Sequence, residues 1–429
     1  MKKIVIKLLA CFSTKIIKKY QPKVVGITGS VGKTGAKTYI EFVLQNKFRV
    51  RASIKNYNNE FGLPLSIIGL VSPGKSFIGW FKVFGQALRL LLITDKKYPE
   101  ILILEMGVDR IGDMDYLLSI VRPDIGIITN ISHSHTEYFG TLDQIKKEKT
   151  KLIKNLNKNG VAILNFDNNQ LKDSAGDIKN CTWYYGLESG SDFRAEDVSF
   201  ILPENLSATD FYGINFKLEH EGSIIPISLP QAISYSSVYS SLASLAVGFS
   251  LGLNLIEISD CLKNIKSIAG RMNILSGIKN SIIIDDTYNS SPESTLNALK
   301  TIEKIKKTKG RKIVILGDML ELGDYSDEGH SLVGRKIAEI DIDILFLIGS
   351  RAVKIGQAAV KAGFNKNNVV NFSEVESARE FIKNGILTDD LVLVKASQGM
   401  RLEKIVKDIM AEPEKAEEKL VRQGSEWLI

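Results

Sequence analysis

The 429-residue chain is 44% hydrophobic and 24% charged, with a formal charge of +7 and three widely spaced cysteines, Cys11, Cys181 and Cys261. That balance suits a soluble globular protein of two or three domains and excludes a disordered chain or a membrane bundle. The cysteines form neither a disulfide framework nor a metal knuckle, which fits a reducing compartment, and no basic–aromatic module points to nucleic acid.

The first twenty residues, MKKIVIKLLACFSTKIIKKY, begin with lysines, but Lys7 interrupts the apolar run and no small-residue cleavage site follows. They read as a basic amphipathic helix, not a signal peptide or a spanning helix. Val24, Val25 and Ile27 then make a short buried strand, Gly26, Gly29 and Gly32 punctuate a turn, and Lys33-Thr34 opens a helix running to about Leu44. A glycine-rich turn between strand and helix presents backbone N–H groups and a positive dipole end, which suits a triphosphate. Gly29, Ser30, Val31 and Gly32 would cradle the phosphates, Lys33 would reach the β- and γ-phosphates, and the Thr34 hydroxyl would complete a Mg²⁺ shell. The strict G-x-x-x-x-G-K-[ST] spacing fails, because Ile27 stands at its first glycine.

A polar cluster at 56–62 leads into an apolar segment, and 76–93 is a membrane-width of mostly apolar residues. Lys82, Gln86 and Arg89 recur at helical spacing within it, predicting an amphipathic helix that packs on the core or lies on a membrane. Strands at 101–104, 125–129 and 161–164 alternate with helices, as in a largely parallel α/β sheet. The stretch 193–229 reads as a small antiparallel sheet appended to it, and a helix follows from about Ser236 to Gly248. A second α/β rhythm has strands at 282–284, 312–316, 344–348 and 391–394. The expected division is 1–22 (basic helix), 23–269 (central nucleotide-binding domain), 270–410 (a second α/β, C-terminal domain) and 411–429 (exposed charged tail).

Three features could carry chemistry. Glu105 ends a strand, at the edge where ligands gather in such sheets, and could hold Mg²⁺ or simply be solvated. The segment 128–140 carries His133 and His135, two of the four histidines; a histidine there can ligate a metal or orient a carboxylate. In the following helix Lys149 shares the apolar stripe of Ile145 and Leu152. A lysine on a core-facing stripe must snorkel, pair or be chemically altered.

Together these pieces resemble the Mur ligase family, ATP-dependent amide-forming enzymes of cell-wall synthesis, and within it the branch that adds D-alanyl-D-alanine. The resemblance rests on GITGSVGKT, on NNEFGLPL from Asn58, on Glu105-Met-Gly, on the H-x-E step of His135 and Glu137, and on Lys149. In the second half it rests on Gly270-Arg271-Met272, DDTYNSSP from Asp285, GDMLELG from Gly317, and Lys395-Ala-Ser397. It implies a P-loop ATPase domain followed by a Rossmann-like domain, with ATP contacted by the glycine loop, Arg271, Asp286 and Asn289. It implies substrate contacts at Asn58, Asn59, Glu60, Lys395 and Ser397, and catalytic roles for Lys33, Glu105, His135 and Lys149. Two Mg²⁺ ions would be held by Thr34, Glu105, His135 and a CO₂-derived carbamate on Lys149. The implied substrates are a UDP-muramoyl-peptide acceptor and a D-Ala-D-Ala amine, in the cytoplasm.

The sequence also departs from the family. Only 25 residues precede Gly26, too few for the UDP-sugar-binding domain with which the family begins, so a partner could supply that site or the acceptor could be lipid-linked. The basic N-terminus and the 76–93 helix leave open a peripheral contact with the inner membrane face. SSVYSSLAS (Ser236 to Ser244) stands where the family has histidine and asparagines near the adenine, and Gln398 replaces an arginine thought to grip the incoming carboxylate. Folate polyglutamylation, on a related fold, fits the NNEFG and DDTYN motifs poorly. A nucleotide-binding scaffold that has lost ligation is the remaining alternative.

Overall fold

Parallel strands that are apolar on both faces need cover on both sides, and two sets of such strands organise the chain. The computed structural model describes residues 2–53, 57–134, 136–172, 174, 180–201, 213–305 and 309–424. The first half runs α1 (Lys2–Tyr20), β1 (Lys23–Thr28), α2 (Lys33–Leu44), β2 (Val50–Ala52), α3 (Gly62–Ile68), α4 (Phe77–Leu92) and β3 (Ile101–Glu105). It continues through α5 (Asp113–Ile120), β4 (Ile125–Ile128), α6 (Thr136–Phe139), α7 (Leu142–Lys154), β5 (Val161–Asn165), α8 (Asn169–Lys172) and β6 (Cys181–Gly186). It closes with β7 (Phe193–Ile201), β8 (Gly213–His220), β9 (Ser223–Pro230), α9 (Tyr235–Ser250) and α10 (Leu255–Leu262).

All nine strands join one sheet in the order β2-β3-β1-β4-β5-β6-β7-β8-β9. β1 lies between β3 and β4, parallel to both, with Val25 opposite Ile103 on one side and Ile125 on the other. Helices α2, α9 and α10 cover one face, burying Ile40, Val43, Leu242 and Ile258 against Ile27 and Ile127. The opposite face packs Leu102, Leu104 and Ile128 against α1, α3, α4, α5 and α7 through Leu9, Leu65, Leu90, Leu117 and Leu152. The antiparallel strands are not a separate appendage: β7 pairs parallel with β6 at Tyr185–Phe193 and Gly186–Arg194, so β7–β9 extend the same sheet.

The second half contains β10 (Asn273–Ser276), β11 (Ile282–Asp286), α11 (Pro292–Lys304), β12 (Lys312–Gly317), α12 (Ser326–Glu339) and β13 (Ile344–Ile348). It ends with α13 (Val353–Lys361), β14 (Val369–Phe372), α14 (Val375–Gly385), β15 (Leu391–Lys395), α15 (Glu403–Ile409) and α16 (Ala416–Lys419). Its sheet has the order β10-β11-β15-β12-β13-β14, parallel apart from the edge strand β10. Ile284, Leu316 and Leu347 face α11–α13, while Ile283, Val394 and Phe346 face α14 and α15.

Two segments differ from expectation. The charged C-terminal segment is not simply exposed: Ala416 and Leu420 are buried in the α15 side of the core, and Arg422 donates to the Thr287 and Tyr288 carbonyls and pairs with buried Glu403. In α4 the inner face is Val83, Ala87 and Leu90, but the outer face is not the polar one that Lys82 and Arg89 suggested, because Phe81, Leu88 and Leu92 share it.

Candidate active site

In an open parallel sheet a ligand sits beyond the carboxyl ends of the strands where the order reverses. Here that point is β1, flanked by β3 and β4, and the three loops that follow these strands carry the features singled out above. Gly29 (φ +149°) and Gly32 (φ +90°) bend the first loop into conformations that L side chains avoid, and a Cβ on Gly29 would collide with Thr129 Oγ1. The loop is stitched to its neighbour after β4. Thr129 Oγ1 donates to the Val31 carbonyl (2.5 Å), Ser30 N to the Asn130 carbonyl (2.8 Å), and Ser30 Oγ exchanges hydrogen bonds with the Ser132 backbone.

Lys33 folds back to donate to the Gly29 carbonyl at 2.6 Å. Burial lowers its pKa, against the upward pull of Glu105. Glu105 is itself buried: its N–H donates to Ser53 Oγ (3.1 Å), and Thr34 Oγ1 and Lys37 Nζ each lie 3.5 Å from its Oε2. Lys37 also donates to the Ser53 carbonyl at 2.8 Å. Neither Lys37 nor Ser53 stands out in the sequence, since both lie among residues that read as ordinary helix and loop.

Helix α7 starts with a Thr141–Gln144 capping box and buries Ile145, Leu152 and Ile153. Lys149, 1% exposed, is carried on that face, and its Nζ lies 3.5 Å from the same Gly29 carbonyl that Lys33 uses. Burial, reinforced by the Lys33 charge, lowers its pKa from 10.5 to about 7. Its neighbour Glu148 is also buried and accepts from the Gly112 and Met114 amides (3.0 and 2.9 Å) and from Lys151 Nζ (2.6 Å). These bonds tie the start of α5 to α7 and so set where Lys149 points.

His135 lies outside the described residues. Its neighbour His133 stacks on the Tyr325 ring from the second half at a 4.0 Å centroid distance, and burial lowers its pKa. Glu137 is exposed, with its N–H 3.4 Å from the Glu321 carbonyl.

The facing wall comes from the carboxyl ends of β11 and β15, where Asp286 registers with Lys395. Their buried side chains pair at 2.7 Å, and Lys395 Nζ also donates to the Asn289 carbonyl (2.9 Å). Asp286 accepts from Met272 N, while Asp285 accepts from Gly270 N and from Thr287 N and Oγ1. Burial raises Asp285 to about 6. The two aspartates thereby anchor the crossover that carries Arg271, whose guanidinium lies 3.9 Å from the Tyr288 ring centroid. Ser397 accepts from Leu320 N (2.8 Å) and donates to the Ser290 carbonyl (3.3 Å), and Asn289 Oδ1 accepts from Gln398 N (3.3 Å).

The two walls enclose a cleft of about 660 Å³ that brings together Lys33, Thr34, Asn58, Glu105, Arg271 and Ser397. Asp109 and Arg401, which the motifs do not single out, also line it. Asn59 and Glu60 do not: Asn59 Oδ1 accepts from the Phe61 and Gly62 amides at the start of α3, and Glu60 lies near Tyr116. A neighbouring cavity of about 210 Å³ beside Gly32 is lined by Asp167, Tyr239, Ser240 and Glu293.

The residues fit a polyanion. Lys33, Lys149 and Arg271 gather round the glycine loop, and the buried polar atoms Asn130 Oδ1, Ser134 Oγ and Arg271 Nε have no protein hydrogen-bond partner. Among the described residues no group of three His, Cys, Asp or Glu side chains stands at metal-holding spacing. The paired Thr34 and Glu105 oxygens, 3.5 Å apart, are nonetheless donors of the kind that Mg²⁺ takes beside phosphate.

Residues 86–225 match the Mur ligase middle domain and residues 270–398 the Mur ligase glutamate ligase domain. The UDP-N-acetylmuramoyl-tripeptide–D-alanyl-D-alanine ligase of Bacillus subtilis is 31% identical over 392 residues, covering 91% of this chain and 76% of that one. The MurF ligase of Thermotoga maritima, solved with ADP, superposes with a TM-score of 0.76 at 27% identity, over 96% of this chain and 84% of that one. A MurF from Acinetobacter baumannii also gives 0.76, at 25% identity over 93% and 79%. The chain belongs to the Mur ligase family.

Proposed function

We propose that the chain is an ATP-dependent ligase that joins D-alanyl-D-alanine to the carboxylate of a UDP-muramoyl-tripeptide, with its work divided between two domains that meet near Ala269. The observation that carries this reading is the burial of Lys149 against the Gly29 carbonyl, the same oxygen to which Lys33 donates. A plain phosphate-binding loop needs no second buried lysine there.

The glycine-loop amides and Lys33 hold the triphosphate, and Arg271 approaches it from the crossover. An acceptor carboxylate oxygen attacks the γ-phosphorus, the bond to the β-bridging oxygen breaks, and ADP leaves. The amine of D-Ala-D-Ala then attacks the acyl phosphate carbon, phosphate departs, and the ammonium proton passes to solvent. Catalysis of this kind is mostly positioning and charge stabilisation, supplied here by Lys33 and the loop amides. Thr34, Glu105, His135 and a carbamate on Lys149 would hold two Mg²⁺ ions, which when bound neutralise charge on the transferring phosphoryl group. A Lys149 pKa of about 7 favours that modification, since only the neutral amine adds to CO₂. Arg401, three residues beyond Gln398, also lines the cleft, with its guanidinium paired to buried Glu403 at 2.6 Å. Asn58 stands on the acceptor side, and a further domain or partner protein would hold the UDP end. ATP and a sugar nucleotide as substrates place the work in the cytoplasm.

The test is phosphate release and product mass with ATP, UDP-muramoyl-tripeptide and D-Ala-D-Ala. The reading expects phosphate and ligated product in equal amounts only when all three are present. Nucleotide binding without turnover on this pair or related acceptors would favour the scaffold alternative.

A further inference from the structure

Among the described residues, nine of the fifteen large hydrophobic side chains that stand exposed lie in α1 or between Val71 and Ile93, so they form a concentration and not the usual scatter. In α4, Phe77, Ile78, Phe81, Leu88 and Leu92 fall within about 100° of one another at 100° per residue, with Lys82 and Arg89 along one margin. Ile78 is 73% exposed, Phe81 72% and Leu92 81%. α1 runs parallel beside it: the Phe12 ring meets Phe84, and Lys19 Nζ donates to the Leu90 and Leu91 carbonyls. That register puts exposed Ile4 and Leu8 toward the Phe77–Phe81 end, with Lys3 and Lys7 beside them.

The two helices carry eight lysines and arginines and no aspartate or glutamate. We propose that the outer face of α1 and α4 is a docking surface for an anionic lipid bilayer. Large apolar side chains interleaved with basic ones are what a helix lying in the headgroup region needs: the apolar groups enter the acyl boundary and the cations meet lipid phosphates. A second copy of this chain is the poorer occupant, because a two-fold contact would press one largely basic face on another, with only Asp95, already paired to Arg89, as an acidic group at its edge. Among the described residues no helix is long and apolar enough to cross a membrane, so the contact is a surface one. It does not depend on which substrate is ligated.

The test is flotation of the full chain with vesicles of phosphatidylglycerol and phosphatidylcholine, or of phosphatidylcholine alone. The chain is expected to float with the anionic vesicles, about tenfold less with the neutral ones, and less at high salt. The variant Phe77→Ser/Phe81→Ser/Leu92→Ser should lose about tenfold of the anionic-vesicle binding while keeping its melting midpoint and nucleotide affinity. Absence of flotation with either vesicle, or equal flotation of the variant, overturns the proposal. So does a wild-type dimer that the serine variant dissolves, since the face would then belong to a second copy.

Discussion

Lys149 is the residue on which the account turns. Replacing it with alanine should lower ligation by about a hundredfold or more, while leaving ADP affinity within a few-fold. Short-chain carboxylates added to that variant should restore part of the rate; an unimpaired variant would remove the lysine from the chemistry. Its stability effect has a definite sign. The folded amine titrates near pH 7 and the unfolded one near 10.5, so between these values the unfolded chain holds the extra proton. The burial penalty is therefore full below about pH 7 and fades toward pH 10. In buffer stripped of CO₂, Lys149→Met should be more stable than wild type at pH 6, on the order of a few kcal/mol, and denaturant titration should show the gap closing as pH rises. Periodicity alone placed Lys149 on the inner stripe, because Ile145 and Leu152 define it. Glu148 and Lys37 were invisible for the opposite reason: what permits their burial is a backbone amide or carboxylate dozens of residues away.

At the scale of elements, that same Glu148 joins α5 to α7. Glu148→Ala would leave the Gly112 and Met114 amides without their acceptor and Lys151 with Asp115 alone. The expected cost is about 1–3 kcal/mol, read as a lower denaturation midpoint, with activity falling as Lys149 loses its fixed direction. An unchanged midpoint would mean that α5 is held by packing alone. The long apolar strands β1, β3, β4, β12, β13 and β15 were readable because burial on both faces demands uninterrupted hydrophobic runs. β6 and β14 were not, because their half-exposed side chains break that pattern, and β2 has only three residues. In α4 the recurrence of Lys82, Gln86 and Arg89 marks a polar edge but not the exposed apolar stripe of Phe77, Phe81, Leu88 and Leu92 beside it, because apolar residues fill most of both remaining faces.

For the whole molecule, the sequence motifs name the residues of both walls but not how the walls meet. Asn130 Nδ2 donates to Glu293 Oε1 at 2.7 Å and His133 stacks on Tyr325, so the loop after β4 is also a contact between the halves. Burial raises the Glu293 pKa. Closure excludes the water that would hydrolyse an acyl phosphate. Glu293→Ala should therefore raise phosphate release relative to ligated product, and a ratio held at unity would argue that this contact does not govern closure.

The central claim, that the convergent loops activate a carboxylate by phosphorylating it, is tested most directly by oxygen transfer. With ¹⁸O in the acceptor carboxylate, each turnover should deliver a labelled oxygen to the released phosphate, and Lys149→Ala should suppress that transfer. Phosphate released at the full rate without label would contradict the account, because the γ-phosphoryl group would then have gone to water and not to the acceptor.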